Sequence, residues 1–214
     1  MKIIRLSHNI EEAAEEVVKV LSKGGIAVIP TDTSYGIVAD AFNSLAVKKV
    51  FKVKRRPLWK PLSVFLSSVS EVRRLCIIEE LEERALKLLP GRVTLIMKVK
   101  NPEAFPQGII GPNNSIGIRI SPHSLPTLVV KKLGKPITAT SANISGELPI
   151  YDSKEILNKL SEIDLLVDSG VLPKIPVSTI IDLTRKPPRI LRMGPVLKEE
   201  VEATLGTTVV IQED

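Results

Sequence analysis

Residues 26–36, with the sequence IAVIPTDTSYG, contain the pattern that decides the fold class. A short apolar run that ends at a turn signal, here Pro30, is typical of a buried strand. The polar and small residues that follow are rich in hydrogen-bonding groups, and strand ends are where open α/β sheets bind ligands. Residues 30–36 are therefore a candidate binding loop. The alternative is a turn in which Thr31 and Asp32 cap their own backbone.

The rest of the chain alternates helical and extended patterns with short connections, which predicts one α/β domain over residues 1–214. Asn9 and Glu12 form a capping-box-like start before apolar residues at helical spacing, and Gly24 and Gly25 end that helix. Further helices are predicted to begin near Ser44, Ser68, Glu79, Leu125, Asp152 and, with a proline in the first turn, Pro195. Strands are predicted at 26–29, 62–66, 93–99, 116–120, 136–140, 165–167, 178–183 and 189–192.

The composition argues against several classes of protein. Hydrophobic residues make up 43% and charged residues 25%, as in folded domains rather than disordered chains. The net charge of +6 suits an anionic ligand such as a nucleotide or RNA, but four Phe, two Tyr and one Trp are too few for a base-stacking platform. Cys76 is the only cysteine and His8 and His123 the only histidines, so neither an intramolecular disulfide nor a His/Cys zinc site is expected.

The N-terminal sequence bears on localisation. No signal peptide is visible at the start, and no apolar run approaches the roughly 20 residues that a membrane-spanning helix needs. A cytoplasmic protein without a membrane segment is therefore expected.

Two further segments could carry chemistry. Residues 54–60, KRRPLWK, place four cations around a proline, and rigid cations suit a polyphosphate, although a solvated basic face is the alternative. Residues 137–146, ITATSANISG, lead from an apolar strand into small hydroxyl residues and Asn143, which allows a ligand close to the backbone or forms an ordinary loop. Arg119 lies inside the apolar strand 116–120 and needs a carboxylate partner, either from a ligand or from an internal Asp.

Taken in order along the chain, these motifs resemble those of a known family. The series is PTDTSYG at 30–36, K-x-R-P-x-x-K at 54–60, PG-x-x-T at 90–94, GIR-x-x-P at 117–122, SAN-x-SG at 141–146, STIID at 178–182 and R-x-G at 192–194. Each motif alone is weak, but seven in sequence resemble the Sua5/YrdC/YciO family. The resemblance implies a twisted mixed α/β sheet with flanking helices and a concave, positively charged cavity.

The active members of this family are L-threonylcarbamoyladenylate synthases, which are nucleotidyltransferases. The resemblance therefore implies that L-threonine, bicarbonate and ATP, with Mg²⁺ bridging the phosphates, yield threonylcarbamoyl-AMP and pyrophosphate. It also implies that downstream transfer proteins carry the product to the adenosine at position 37 of tRNA, forming t6A.

The resemblance also implies roles for individual residues. Lys54 and Arg56 would stabilise the triphosphate and carry the catalysis. The rest of the ATP site would comprise Lys60, Ser115, Ser141, Asn143 and Arg192. Threonine would be held by Thr31, Tyr35, Arg119, Ala139 and Ser178. In this assignment Arg119 pairs with the carboxylate of the substrate rather than with a protein Asp.

The chain departs from the family pattern at three positions. Asp32, Phe65 and Arg92 stand where members often have Glu, His and Pro. The chain ends after the catalytic domain, and so is similar to the short, YrdC-type form. The alternatives are a YciO-like paralogue, which typically lacks the intact Ser-x-Asn and basic motifs, and a non-catalytic protein that binds tRNA or double-stranded RNA.

Overall fold

The computed structural model describes residues 1–6 and 9–212, so His8 lies outside the described residues. Within them, one mixed sheet carries helices on its faces, which confirms the predicted α/β fold class. The strands are β1 Lys2–Arg5, β2 Ala27–Pro30, β3 Tyr35–Val38, β4 Ser63–Phe65, β5 Val93–Lys98, β6 Ser115–Arg119, β7 Ile137–Ser141, β8 Leu165–Asp168, β9 Thr179–Asp182, β10 Arg189–Arg192 and β11 Val210–Ile211. The α-helices are α1 Ile10–Ser22, α2 Ser44–Lys54, α3 Val69–Leu75, α4 Glu80–Ala85, α5 Ser124–Leu133, α6 Ser153–Lys159 and α7 Lys198–Leu205.

The sheet has the strand order β1-β8-β2-β3-β7-β4-β6-β5-β9-β10-β11. Parallel and antiparallel pairs both occur: β4 runs parallel to β6 and β5 parallel to β9, whereas β7 is antiparallel to both β3 and β4. Strands from distant parts of the sequence therefore lie side by side at the centre of the sheet.

The predicted helix starts are set by local caps. The Asn9 side chain accepts a hydrogen bond from the backbone N–H of Glu12 at 3.2 Å, and the Ser68 hydroxyl accepts one from Glu71 at 3.3 Å. Such caps satisfy N–H groups that have no partner within the helix. The predicted start near Pro195 is wrong, because α7 begins at Lys198 and Pro195 precedes it.

Three strands were not expected from the sequence. Residues 35–38 form β3, which pairs antiparallel with β2, so residues 31–34 are the turn of a hairpin. At the two edges, β1 and β11 are only four and two residues long and are largely exposed, so neither forms the longer buried apolar run by which the other strands were predicted. The candidate loop 30–36 is therefore a hairpin turn whose arms belong to the sheet.

The helices cover the two faces of the sheet unequally. One face packs on α2, α3, α4 and α7 through a large apolar core that includes Val64, Leu95 and Ile118. On the opposite face, α1 and α5 cover only the part that reaches Phe65 and Ala139. The remainder of that face stays open to form a concave surface. Among the described residues, no helix is both long and apolar enough to cross a bilayer.

Candidate active site

The open face of the sheet contains two adjoining cavities. The small cavity has a volume of about 130 Å³ and is bordered by the 31–34 turn, β3, β4, β6, β7, β9 and β10. The large cavity, about 480 Å³, continues from it over β5, β6, β9 and β10. The two share one wall, which consists of Arg56, Pro61, Leu62, Ser63 and Ile180.

The strand register explains why this face is hollow. Side chains alternate between the faces of a sheet, so Val64 and Ile118 enter the core while Ser63 and Gly117 face the cavities. Ser63 in turn lies opposite Ala139 on β7. The cavity floor is therefore built from small residues, and helices that would cover it are absent there.

A buried ion pair lies at the end of the small cavity. Arg119 Nη2 donates to both carboxylate oxygens of Asp32, at 3.1 and 2.9 Å, and the Ser121 hydroxyl donates to the same carboxylate at 2.5 Å. Burial lowers the pKa of Arg119, and the charge of Asp32 acts in the opposite direction. The expectation that Arg119 has no protein carboxylate as its partner is wrong, because the hairpin turn brings Asp32 beside the end of β6.

Arg119 nevertheless keeps one unused donor. Its Nε is buried and has no hydrogen-bond partner within the described part of the chain. Its guanidinium carbon lies 5.1 Å from the centre of the Phe65 ring, so the side chain is held between an aromatic face and Asp32. Because an unsatisfied buried donor is costly, this Nε marks a place where a ligand acceptor would be favourable.

The remaining predicted threonine-binding residues differ in what they offer to a ligand. Thr31 and Ser178 line the small cavity with Ala139, although both hydroxyls also have protein partners. Thr31 donates to the carbonyl of Ser34 at 2.7 Å, and the Ser178 hydroxyl lies 2.8 Å from that of Thr94. The Thr31 hydroxyl also accepts from the N–H groups of Thr33 and Ser34, and the Ser178 hydroxyl accepts from Arg192 Nη2.

Tyr35 does not present its hydroxyl to the cavity. Tyr35 is fully buried, and its hydroxyl donates to the carbonyl of Gly170 at 2.9 Å and accepts from the N–H of Ser169 at 2.8 Å. Burial raises the pKa of this hydroxyl. Tyr35 nevertheless borders the small cavity beside Gly36, so its role in holding threonine stays a prediction, although its hydroxyl already has two protein partners.

Lys54 is buried and lies apart from both cavities. It is 1% exposed, lines neither cavity, and donates from Nζ to the carbonyls of Ser141 and Asn143 and to Asn143 Oδ1. Burial, with a smaller effect from Arg56, lowers the pKa of Lys54 to about 7. The end of α2 lies beneath the 141–147 loop, which Lys54 fastens, and the contact between Lys54 and the triphosphate stays a prediction.

Asn143 adds further hydrogen bonds within the 141–147 loop. Its amide nitrogen donates to the carbonyls of Ile144 and Glu147 at 2.9 and 2.7 Å, and its oxygen accepts from the Ser141 hydroxyl. Asn143 lines neither cavity, whereas Ser141 lines the small one. Of the Ser-Ala-Asn motif, Ser141 thus faces the site and Asn143 shapes the loop.

The other predicted cations border the cavities. Arg56 lies on the shared wall, held by donation to the carbonyls of Lys60 and Pro61 at 2.8 and 3.0 Å. Lys60 lines the large cavity with Ser115, and its Nζ lies 4.9 Å from the centre of the exposed Trp59 ring. Arg192 lines the small cavity and donates to the carbonyl of Ser178 at 2.9 Å.

Sequence reasoning missed several residues of the site. Ser63 and Ile180 lie on the shared wall, and Arg185 and Arg189 lie along the large cavity. The signal for Ser63 was present, since every second residue of a strand shares a face, but only the sheet order shows which face is open. Within the described residues, no group of three or more His, Cys, Asp or Glu side chains could hold a metal ion.

Comparisons with known proteins bear on this site. A Sua5/YciO/YrdC family model, described as "Telomere recombination", matches residues 19–194. Threonylcarbamoyl-AMP synthase of Pyrococcus abyssi is 32% identical over 208 residues, 95% of this chain and 61% of the relative. The Bacillus subtilis protein of the same name is 31% identical over 204 residues, 94% of this chain and 58% of the relative.

Solved structures agree with the sequence comparison. The crystal structure of P. abyssi Sua5 complexed with L-threonine has a TM-score of 0.88 and 29% sequence identity, over 99% of this chain and 62% of that chain. The chain therefore spans about three fifths of the length of these relatives.

Proposed function

Because the chain belongs to the Sua5/YciO/YrdC family, we propose that it is an L-threonylcarbamoyladenylate synthase. In this proposal, L-threonine, bicarbonate and ATP are converted into threonylcarbamoyl-AMP and pyrophosphate, which is a nucleotidyl transfer. The product would then pass to proteins that transfer the threonylcarbamoyl group to tRNA.

The observation that carries the proposal is the pairing of two unlike cavities across one wall. The small polar cavity is bordered by Arg119 and Arg192, and an arginine suits the carboxylate of an amino acid. The large cavity has apolar walls with Arg56 and Lys60 at one side, which suits a nucleotide. An enzyme that joins an amino acid to a nucleotide needs such a pair.

The chemistry can proceed without a protein nucleophile. The amine of threonine combines with bicarbonate to give a carbamate and water, and the carbamate oxygen then attacks the α-phosphorus of ATP. The protein contributes by holding the reactants together and by stabilising developing negative charge. In this proposal Arg56, which lies on the shared wall, would perform the second task, and Arg192, which lines the small cavity, would close it.

Magnesium is proposed to enter as part of the nucleotide substrate. ATP binds Mg²⁺ through its phosphate oxygens, and Mg²⁺ usually keeps several water ligands. Since the described residues contain no cluster of metal-ligating side chains, the chain's own part would be to bind the phosphates around the ion through Arg56 and Lys60.

The deciding experiment measures pyrophosphate release from ATP and Mg²⁺ with each other substrate present or omitted. We expect release only when threonine and bicarbonate are both present. Valine should be a poor substrate, because it lacks the hydroxyl with which threonine can hydrogen-bond to the polar groups that line the small cavity. Release that ignores threonine, or tRNA binding with steep salt dependence and no turnover, would contradict the proposal and favour an RNA-binding role.

A further inference from the structure

The wall shared by the two cavities is where the proposed reaction must take place. A carbamate in the small cavity and an α-phosphate in the large cavity can meet only along Arg56, Pro61, Leu62, Ser63 and Ile180. Of these five side chains, only those of Arg56 and Ser63 can donate a hydrogen bond. Two of the Arg56 nitrogens already donate to backbone carbonyls.

Ser63 differs from the other hydroxyl groups in its use of hydrogen bonds. Thr31, Ser178 and Ser141 each have a side-chain hydrogen bond within the protein. The Ser63 hydroxyl has none with any residue in the ranges 1–6 and 9–212. Its backbone is fixed in β4 between β7 and β6, so the hydroxyl is available on a rigid support.

The neighbouring strand is shaped to leave room for this hydroxyl. Gly117 lies beside Ser63 on β6, and a Cβ atom at residue 117 would be 2.4 Å from Ser63 Oγ and 3.0 Å from its Cβ. Any side chain at residue 117 would therefore displace Ser63 or fill the junction. The glycine keeps the junction open with the hydroxyl inside it.

We propose that Ser63 is a further catalytic residue of this chain, donating a hydrogen bond to a non-bridging oxygen of the α-phosphate during attack by the carbamate. The inference rests on the proposed function. The new bond joins the carbamate oxygen to the α-phosphorus, and the bond from that phosphorus to the bridging oxygen breaks. Pyrophosphate leaves with the electron pair, and Ser63 keeps its proton throughout. A donor aimed at developing charge lowers the barrier because it needs no reorganisation.

The test compares the S63A and S63T variants with the wild-type chain in pyrophosphate release. We expect Ser63→Ala to lower kcat on the order of 10²-fold, with the KM values of threonine and ATP changed by less than about twofold. Ser63→Thr retains the hydroxyl and should recover most of the rate. Ser161→Ala, an exposed serine between α6 and β8, is the matched control and should behave as wild type.

Three results would overturn the inference. A wild-type kcat in Ser63→Ala would show that the hydroxyl is not used. An equal loss in Ser63→Thr, or a fall in melting temperature that parallels the loss of rate, would show a packing role. If the wild-type chain itself releases no threonine-dependent pyrophosphate, the proposed function fails and the inference with it, a result that differs visibly from failure of the Ser63 variants alone.

Discussion

The two cavities differ in how their charged groups are held. Around the small cavity, Asp32 and Arg119 form a buried ion pair and Ser121 adds a third hydrogen bond. Along the large cavity, the ammonium group of Lys60 lies over an exposed indole ring, and Asp182 lies 3.6 Å from the half-exposed Arg185. The first region is fixed before a ligand arrives, whereas the second can rearrange around one.

This difference separates residues that stabilise the fold from residues that serve catalysis. A buried charge that loses its partner is expensive, so changes at the small cavity should be measured mainly as lost stability. Exposed ion pairs contribute little to stability, so changes along the large cavity should leave folding almost intact. Substitutions on each side can test this division.

The largest effect is expected from Asp32→Asn. This variant leaves the buried guanidinium of Arg119 without its counter-charge, and we expect a loss of about 3–5 kcal/mol in the free energy of unfolding. Urea denaturation followed by circular dichroism measures it. The matched control is Asp182→Asn at the large cavity, which should cost about 1 kcal/mol, because Arg185 is half-exposed and the amide oxygen can still accept from Thr184. Equal losses in the two variants would abolish the distinction between the regions.

The next largest effect is expected from Arg56→Ala, and it should appear in activity. Arg56 lies where the cavities meet, so its removal should lower pyrophosphate release on the order of 10²-fold, while the two lost hydrogen bonds cost about 1–3 kcal/mol of stability in total. Arg55→Ala is the control, since this exposed neighbour lines neither cavity and should keep near-normal turnover. Similar rates in both variants would remove Arg56 from the site.

A smaller effect is expected in how the free energy of unfolding depends on pH, and it comes from Lys54. Its pKa in the folded protein is about 7, below the ordinary 10.5, so the unfolded chain binds the extra proton between these values. Stability therefore rises with pH in this window, and the penalty of the buried charge is fully present below pH 7. From pH 7 to 9 we expect wild type to gain about 2 kcal/mol relative to Lys54→Met. The expectation is wrong if the free energy of unfolding, measured at pH 7, 8 and 9, changes by the same amount in wild type and in Lys54→Met.

Features set by neighbouring residues could be predicted from the sequence. The starts of α1 and α3 follow from Asn9 and Ser68, because a cap needs only the next three residues. Most strands were found for a similar reason, as short apolar runs bounded by turn residues. β3 was missed because its sequence, YGIV, begins with residues that looked like the end of a polar loop.

Features set by strand order could not be predicted from the sequence. The partner of Arg119 is separated from it by 87 residues, and only the folded sheet brings the 31–34 turn beside β6. For Lys54, the run of cations suggested a surface that binds phosphate. Its burial under the 141–147 loop depends on where α2 ends relative to β7. Because Arg119 already pairs with Asp32, Arg119→Lys is expected to lower the free energy of unfolding.

The order of strands has a consequence for how the chain acquires its activity. β3 lies beside β7, and β7 beside β4, so Gly36 pairs with Ser141, which is 105 residues further along the chain. Domains rich in such non-local pairings fold slowly, because loop closure must precede the contacts that reward it. The small cavity cannot form before β7 is in place, because Ala139, Thr140 and Ser141 line it. Ligand binding therefore selects fully folded molecules, and a ligand at 100 times its Kd would stabilise them by about 2.7 kcal/mol. The abundance of substrate would then influence how long each molecule survives proteolysis.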